Sequence, residues 1–137
     1  MNKVNIGWVG AGFVGQSAHL EHFINFDDCS ITGLADLRPM LAKKACSSFD
    51  IPRTFYNHSD LLKCNKIDAV VAIVNRRHTF QIAKDILRSG RHLLTEKPMA
   101  STYNAAYELV DLAEKKGLIY SAGFMRRYDS GVKKFKS

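Results

Sequence analysis

Three glycines near the start of the chain have the spacing of a phosphate-binding turn. The stretch GAGFVG places Gly10, Gly12 and Gly15 in the pattern GxGxxG, with Phe13 and Val14 inside it. In this pattern the first glycine allows a tight turn, the second lets a phosphate approach the backbone, and the third lets helix and strand pack closely. The pattern alone is weak, but here a predicted strand precedes it and a predicted helix follows, whose first N–H groups would face the phosphates.

An acid stands where the same motif requires one. Asp36 ends the predicted second strand, 21 residues after Gly15, and the motif places an acid about 20 residues on. Its carboxylate would accept hydrogen bonds from both hydroxyls of an adenosine ribose and would repel a 2′-phosphate. Arg38 could instead pair with that phosphate or stack on adenine. The sequence therefore predicts dinucleotide binding, with NAD favoured over NADP, and an Asp36 that also caps the next helix is compatible with this role.

A charged pair ends a short apolar run later in the chain. In HLLTEKPMA, Glu96 and Lys97 directly follow the apolar residues, and Pro98 fixes the turn. A lysine at the end of a buried strand costs desolvation unless its charge is used. The alternative is a surface lysine paired with Glu96, because most lysines are solvated.

These candidate residues need a fold that brings them to one edge. The run Asp68–Val74 is apolar without alternation, as expected of a central parallel strand covered on both faces. Strands that alternate with helices through short links predict an α/β fold, a doubly wound parallel sheet with right-handed crossovers. We predict strands over 4–9, 30–35, 54–56, 68–74, 92–95 and 118–125, and helices over 14–25, 38–49, 58–64, 79–89 and 102–117. Ser59 is the predicted cap of the third helix, and Asp129 or Ser130 that of a last helix.

Four stretches in order, GAGFVG, AVVAIVNRRHTF, GRHLLTEKPMA and AGFMRRYD, resemble the Gfo/Idh/MocA oxidoreductases, the glucose–fructose oxidoreductase and inositol dehydrogenase family. The resemblance covers essentially the whole chain, and the Glu-Lys-Pro turn is its most specific motif. It implies a Rossmann NAD(P)-binding domain at residues 1–123 and the start of a crossover at 124–137. The family's second domain, α+β with a mostly antiparallel sheet, is absent from this sequence.

The resemblance also implies roles for individual residues. Lys97 would lie beside the nicotinamide and the reacting carbinol carbon, where it would bind the substrate oxygen and stabilise the developing alkoxide. Glu96 would orient that ammonium, and the Lys97–Pro98 bond would be cis. His78 and Asn75 would line the nicotinamide ribose and its phosphate, although a neutral His78 that caps a helix would look the same.

Some residues depart from the family pattern or stay open. Arg76 and Arg77 stand where the family often has a proline or a small residue. Arg126 or Arg127 would face the substrate or the interface between the two domains. The aromatic rings of Phe124 and Tyr128 are expected to pack. His19 and His22 are three apart on one helix, and without a third ligand we interpret them as solvated or packing residues, so no metal is expected.

Composition bounds the partners and the compartment. The 137 residues carry a formal charge of +7, but much of the excess lies in the tail MRRYDSGVKKFKS and no nucleic-acid motif accompanies it, so nucleic acid is not an expected partner. No run reaches the roughly 18 apolar residues of a membrane span. Cys29, Cys46 and Cys64 have no zinc or CxxC spacing, and the N-terminus shows no signal-peptide pattern, which together predict reduced thiols and a cytoplasmic protein.

Three functions are compatible with these features. The first is the cofactor-binding half of a dehydrogenase acting on a sugar, a polyol or a nucleotide-linked sugar, inactive on its own and homo-oligomeric in its full-length form. The second is a stand-alone nucleotide-binding regulatory module without catalysis. The third is a basic nucleic-acid or phosphate-surface binder that borrows the fold. The complete Glu-Lys-Pro turn favours the first.

Overall fold

Strands and helices alternate along the chain, as predicted. The computed structural model describes residues 3–136, so Met1, Asn2 and Ser137, at the ends of the predicted domain ranges, lie outside the described residues. The strands are β1 (Val4–Val9), β2 (Cys29–Ala35), β3 (Thr54–Phe55), β4 (Ala69–Ala72), β5 (His92–Thr95) and β6 (Tyr120–Ala122). The helices are α1 (a π-helical stretch, Gly15–Leu20, continued by an α-helical turn, Glu21–Phe23), α2 (Pro39–Ser48), α3 (His58–Leu62), α4 (Arg76–Arg88), α5 (Tyr103–Lys115) and α6 (Ser130–Lys136).

The six strands form one parallel sheet in the order β3-β2-β1-β4-β5-β6. The chain builds outward from β1 to one edge of the sheet, then returns to add β4 on the other side of β1. This order is that of doubly wound dinucleotide-binding folds, and it confirms the predicted class. Ligands of such sheets bind at the carboxyl ends of the strands where the order reverses, which here is between β1 and β4.

Apolar residues fill both faces of the sheet, which is why the central strands show no alternation. In β4, Val70 and Ala72 belong to the core beneath α3, α4 and α5. Val71 and, just after the strand, Ile73 belong to the opposite core beneath α1 and α2. Each face is therefore buried, as required for a central strand of a parallel sheet.

Trp8 anchors the face of the sheet that α1 covers. The side chain is fully buried, and its ring packs edge-on against Phe23 of α1 with the two centroids 5.6 Å apart. Such a pair adds about 0.5–1.5 kcal/mol beyond the burial itself. The indole N–H donates to the carbonyl of Gly10 at 3.0 Å, so the core residue also holds the loop that follows β1.

One predicted helix cap and one predicted helix start are wrong. The third helix begins at His58, as predicted, but Asn57, not Ser59, caps it by accepting from the Asp60 amide at 2.8 Å. The fourth begins at Arg76, three residues before the predicted Thr79. Its cap is Asn75, whose side chain accepts from the Arg77 amide. The apolar pattern starts late because the first turn of this helix is entirely polar.

Other elements differ from prediction in length. The strand expected over 118–125 covers only Tyr120–Ala122, because the chain leaves the sheet at Gly123 and enters a 3₁₀ turn, Met125–Tyr128. The expected central strand, Asp68–Val74, is limited to Ala69–Ala72. Asp129, one of the two predicted caps of the last helix, accepts from the Val132 amide at 3.1 Å.

Three further findings concern the cysteines, membrane-spanning helices and the predicted domain boundary. The three cysteines are free thiols. Between residues 3 and 136, no helix combines the length and the apolar character that crossing a membrane requires. The boundary expected between residues 123 and 124 coincides with the point where the chain leaves the sheet, and it stays a prediction.

Candidate functional site

The predicted site residues directly follow the last residues of neighbouring parallel strands, so they lie at a common edge of the sheet. In the strand register, Val9 lies beside both Ala35 and Ala72. Ala72 in turn lies beside Thr95 of the next strand. The residues that follow these four positions leave the sheet together at its carboxyl edge; they are Gly10, Asp36, Ile73 and Glu96. The glycine loop, the acid and the Glu-Lys-Pro turn therefore share one side of the molecule.

Gly10 and Gly15 are required by the fold itself. Gly10 has a φ angle of 100°, and an added Cβ would lie 2.1 Å from the carbonyl oxygen of Ile73. A Cβ at Gly15 would lie 2.9 Å from the carbonyl oxygen of Gly10. Any side chain at Gly10 would separate β1 from β4, and one at Gly15 would push the helix away from the loop.

Gly12 is not required by the fold. All nine glycines of the chain are described, and only at Gly12 would an added Cβ meet nothing within 4 Å without a positive φ angle. A side chain would therefore fit there in the protein alone. The space over this residue suits a group that must approach the backbone closely, which is the role the motif assigns to a pyrophosphate.

The helix that follows the glycines begins without a side-chain cap. Phe13 and Val14 are already helical, so the residue that precedes the helix is Gly12, which has no side chain to cap it and whose carbonyl accepts from the Gln16 amide at 3.0 Å. Side chains cap three other helices, and these caps are Asn57, Asn75 and Thr102; α2 also begins without one. The unpaired amides of a helix start can be satisfied by an anion, which the helix dipole favours. Phe13 and Val14 both project into solvent at this position. The loop thus fits the phosphates of a dinucleotide.

The Asp36 carboxylate is buried and accepts four hydrogen bonds. Its Oδ2 accepts from the Ala11 amide at 2.8 Å and from Nη2 of Arg38 at 2.9 Å. Its Oδ1 accepts from the amide and from Nε of Arg38, each at 2.9 Å. A carboxylate has about four acceptor positions, so these donors fill them. A ribose hydroxyl can therefore bind Asp36 only by replacing a donor, and Arg38, whose side chain is 63% exposed, is the one that can move.

These contacts keep Asp36 ionised. Burial alone would raise the pKa of the carboxyl. The hydrogen bonds from the Arg38 side chain and from the Ala11 and Arg38 amides, together with the Arg38 charge, outweigh burial and hold the pKa below its usual value. Asp36 is thus a charged acceptor at neutral pH, as the binding of two ribose hydroxyls requires.

The Glu-Lys-Pro turn leaves β5 at the same edge. The Lys97–Pro98 bond is cis, which confirms that expectation. Lys97 is exposed. Glu96 contacts Lys97 through the backbone: its Oε2 accepts from the Lys97 amide at 3.1 Å, while its Oε1 lies 2.7 Å from Nε2 of His19. The expectation that Glu96 orients the ammonium is therefore replaced by a contact with the amide, because His19 holds the other oxygen.

His19 has a contact that the sequence does not predict. The sequence predicts a solvated or packing residue, yet its side chain is only 21% exposed and pairs with Glu96, 77 residues away. No local pattern announces such a contact, since it depends on how α1 and β5 meet in the sheet. His22, by contrast, is exposed, as expected. No cluster within residues 3–136 combines three or more metal-ligating side chains.

Asn75 and His78 lie at the same edge, in and before the first turn of α4. Asn75 serves as the helix cap, so capping does not explain His78, which is exposed like Arg76 and Arg77. The side chain of His78 is available to a ligand at the carboxyl end of β4.

The expectation that Phe124 and Tyr128 pack is wrong for the described chain. Tyr128 is 78% exposed and Phe124 is 45% exposed, because they follow β6 where the chain has left the sheet. Arg126 and Arg127 are also exposed, and Arg126 pairs with Asp129 at 3.3 Å.

A family model and a curated relative both match this chain. Residues 4–124 match the family model described as an oxidoreductase family with an NAD-binding Rossmann fold, Gfo/Idh/MocA. An inositol 2-dehydrogenase/D-chiro-inositol 3-dehydrogenase from Shouchella clausii is 30% identical over an alignment of 137 positions, which covers 97% of this chain and 39% of that relative. The chain thus spans about two fifths of the length of that relative.

Two solved structures show the same fold. The myo-inositol dehydrogenase from Lactobacillus casei, in complex with NAD(H) and myo-inositol, has a TM-score of 0.88 and 28% identity, covering 98% of this chain and 40% of that one. KijD10, a 3-ketoreductase from Actinomadura kijaniata in complex with NADP and TDP-benzene, has a TM-score of 0.87 and 24% identity, covering 90% of this chain and 38% of that one. At that identity the second likeness concerns the fold alone.

Alanine should lower the stability of the fold at Gly10 but not at Gly12. Gly10→Ala should lower the free energy of unfolding by at least about 1–2 kcal/mol, the cost of the left-handed φ angle alone. Gly12→Ala should leave it unchanged or raise it by up to about 1 kcal/mol, because the unfolded chain loses freedom and the folded chain meets no clash. Urea denaturation measures both, and an equal loss at the two positions would contradict the account of the loop.

The pH dependence of stability should report the Asp36 contacts. Because the folded-state pKa of Asp36 is lowered, these contacts stabilise the fold above the unfolded pKa and are lost as pH falls through the folded value, below about pH 4. The melting temperature of Asp36→Asn should therefore fall less between pH 6 and pH 3 than that of the unchanged protein. Asp27→Asn, at an exposed carboxylate in the turn before β2, is the control and should change this dependence little. Parallel acid dependences for Asp36→Asn and the unchanged protein would be incompatible with this role.

Proposed function

Because the chain belongs to the Gfo/Idh/MocA oxidoreductase family through its NAD-binding Rossmann domain, we propose that it is the cofactor-binding half of a cytoplasmic dehydrogenase. The reaction moves a hydride between the cofactor's nicotinamide and a hydroxyl-bearing carbon of a sugar or polyol. The single observation that carries this proposal is the Glu-Lys-Pro turn, which follows β5 at the same sheet edge as the glycine loop and Asp36. A dinucleotide-binding module without chemistry has no need of a lysine at that place.

Each site residue has a task in this proposal. The amides after Gly12 hold the pyrophosphate, and Asp36 accepts from the adenosine ribose. Asn75 and His78, beside the reversal of strand order, face the nicotinamide ribose. The cofactor, when bound, supplies the hydride acceptor. Lys97 donates a hydrogen bond to the substrate oxygen and stabilises the negative charge that develops there as the hydroxyl proton leaves to a base or to water. The carbonyl then forms as the hydride passes to the cofactor.

The contacts of Asp36 support a preference for NAD. The carboxylate is buried and charged, so a 2′-phosphate would meet like charge where a 2′-hydroxyl would donate a hydrogen bond. Arg38 has the opposite effect. Its guanidinium occupies acceptor positions that the ribose of NAD needs, and once displaced it could pair with a 2′-phosphate. The two residues therefore pull the preference in opposite directions.

The names of two relatives support a proposal for the substrate class. The Shouchella clausii relative is named for inositol oxidation, and the Lactobacillus casei structure contains myo-inositol. We propose a polyol or sugar of similar size, oxidised at one secondary hydroxyl. The rest of the substrate contacts would come from a second domain like that of the relatives, which would also carry the interface of a homo-oligomer.

Cofactor binding by the 137-residue chain tests the first half of the proposal. Calorimetry should show NADH binding tighter than NADPH by about tenfold, an advantage of about 1.4 kcal/mol. Asp36→Ala should reduce this preference and Arg38→Ala should increase it, because the guanidinium both competes with the ribose and attracts the 2′-phosphate. Gly12→Val should abolish binding of both cofactors in a protein that still folds. Equal binding, or none, by the folded chain would refute the dinucleotide assignment.

Turnover tests the second half. The 137-residue chain alone, saturated with NAD, should oxidise no sugar or polyol. Hydride transfer needs the donor carbon held about 3–3.5 Å from the nicotinamide, and that alignment supplies roughly 7–11 kcal/mol of the barrier. In a form that carries a substrate domain, Lys97→Ala should lower kcat by on the order of 10²–10³ while NAD affinity stays within a few fold. Lys115→Ala, at the far end of α5, is the control. An unchanged kcat in Lys97→Ala would show that Lys97 is a surface lysine without a role in catalysis.

A further inference from the structure

A single carboxylate connects the helix of the glycine loop to the lysine turn. Glu96 contacts His19 of α1 through Oε1, with 2.7 Å between Oε1 and Nε2. Through Oε2 the same group accepts from the Lys97 amide at 3.1 Å. A carboxylate oxygen accepts, so this contact is a hydrogen bond in the His19 tautomer that carries its proton on Nε2. The result is a chain of contacts from α1 through Glu96 to the backbone of Lys97.

The π-helical stretch explains how His19 reaches Glu96. Gly15 and Leu20, five residues apart, are both buried against the core. In a regular α-helix at about 100° per residue, positions five apart would point about 140° away from each other. The wider π turn brings both onto the core side and leaves His19 directed at the end of β5. Single π turns are rare in proteins, and those that do occur often lie at functional sites.

The Glu96 carboxylate is held in a narrow place. A Cβ added at Gly123, just after β6, would lie 3.3 Å from Oε1. The carboxylate therefore lies between α1 on one side and the end of β6 on the other, with 26% of the side chain exposed. Little space is left for it to take another rotamer while His19 stays in place.

We propose that His19 is a positioning residue for Lys97. It holds Glu96, and Glu96 holds the Lys97 amide, so the backbone from which the lysine side chain starts is fixed relative to the glycine loop. This inference rests on the proposed function for its purpose, because the loop would take the phosphates of the cofactor and the turn would present the ammonium to the substrate. A cofactor seated on α1 would thereby tighten the turn at the other end of the site.

Hydrogen exchange of two neighbouring amides tests the connection without cofactor. The Lys97 amide donates to Glu96, whereas the Gly123 amide donates to the Thr95 carbonyl at 2.8 Å and serves as internal reference. In His19→Ala the Lys97 amide should exchange several-fold faster relative to Gly123. His19→Gln, which keeps a donor, should restore most of the protection, and His22→Ala, at an exposed histidine on the same helix, should change neither rate. A general loss of stability would accelerate both amides alike, and that result, or unchanged Lys97 exchange, would overturn the proposal.

A second variant and a measurement with bound NADH complete the test. If His19→Ala does not fold, Glu96→Ala removes the same link from the other side and should release the Lys97 amide in the same way; protection retained there overturns the proposal. With saturating NADH, the Lys97 amide of the unchanged protein should slow further, and this slowing should vanish in His19→Ala although NADH still binds. If NADH slows exchange of the Lys97 amide equally in the unchanged protein and in His19→Ala, His19 does not couple cofactor binding to the turn. Absence of NADH binding to the unchanged protein is a failure of the proposed function, while the cofactor-free exchange rates still decide the role of His19.

Discussion

The close backbone approach at Gly10 is the constraint on which the rest of the site depends. Its amide donates to Ala35 at the end of β2, and its carbonyl accepts from the buried Trp8 indole. Ile73, after β4, passes so close that no Cβ fits, and Gly15 packs on the same carbonyl. The ends of three strands and the start of α1 therefore meet at one residue without a side chain. The site exists because these ends meet there.

From this junction the electrostatics of the edge follow. The strands deliver one buried acid, Asp36, and one partly buried acid, Glu96, to opposite ends of the same edge. Each carboxylate is held by a cation or a histidine and by a backbone amide. The acceptor positions of Asp36 are occupied by Arg38 until a ligand displaces it, whereas Glu96 connects His19 to the Lys97 amide. Lys97, directly after Glu96, is exposed.

Much of this could be predicted from the sequence, because the signals are local. The glycine spacing, the acid 21 residues later and the Glu-Lys-Pro turn each occupy a few consecutive residues or a short, regular separation. The doubly wound sheet follows from apolar runs that alternate with helices. The start of α4 escaped because its first turn is polar and its cap, Asn75, precedes the apolar pattern. The link from His19 to Glu96 escaped because 77 residues separate the partners and only the packed sheet brings them together.

The central claim is that one dinucleotide spans this edge, with its phosphates on the glycine loop and its reactive end beside Lys97. The most direct measurement is a titration of the ¹⁵N-labelled chain with NADH, followed amide by amide in the NMR spectrum. The account predicts that the amides of Gly12, Asp36 and Lys97 shift together along one binding curve. A response confined to the glycine loop, with the Lys97 amide unchanged at saturation, would contradict it.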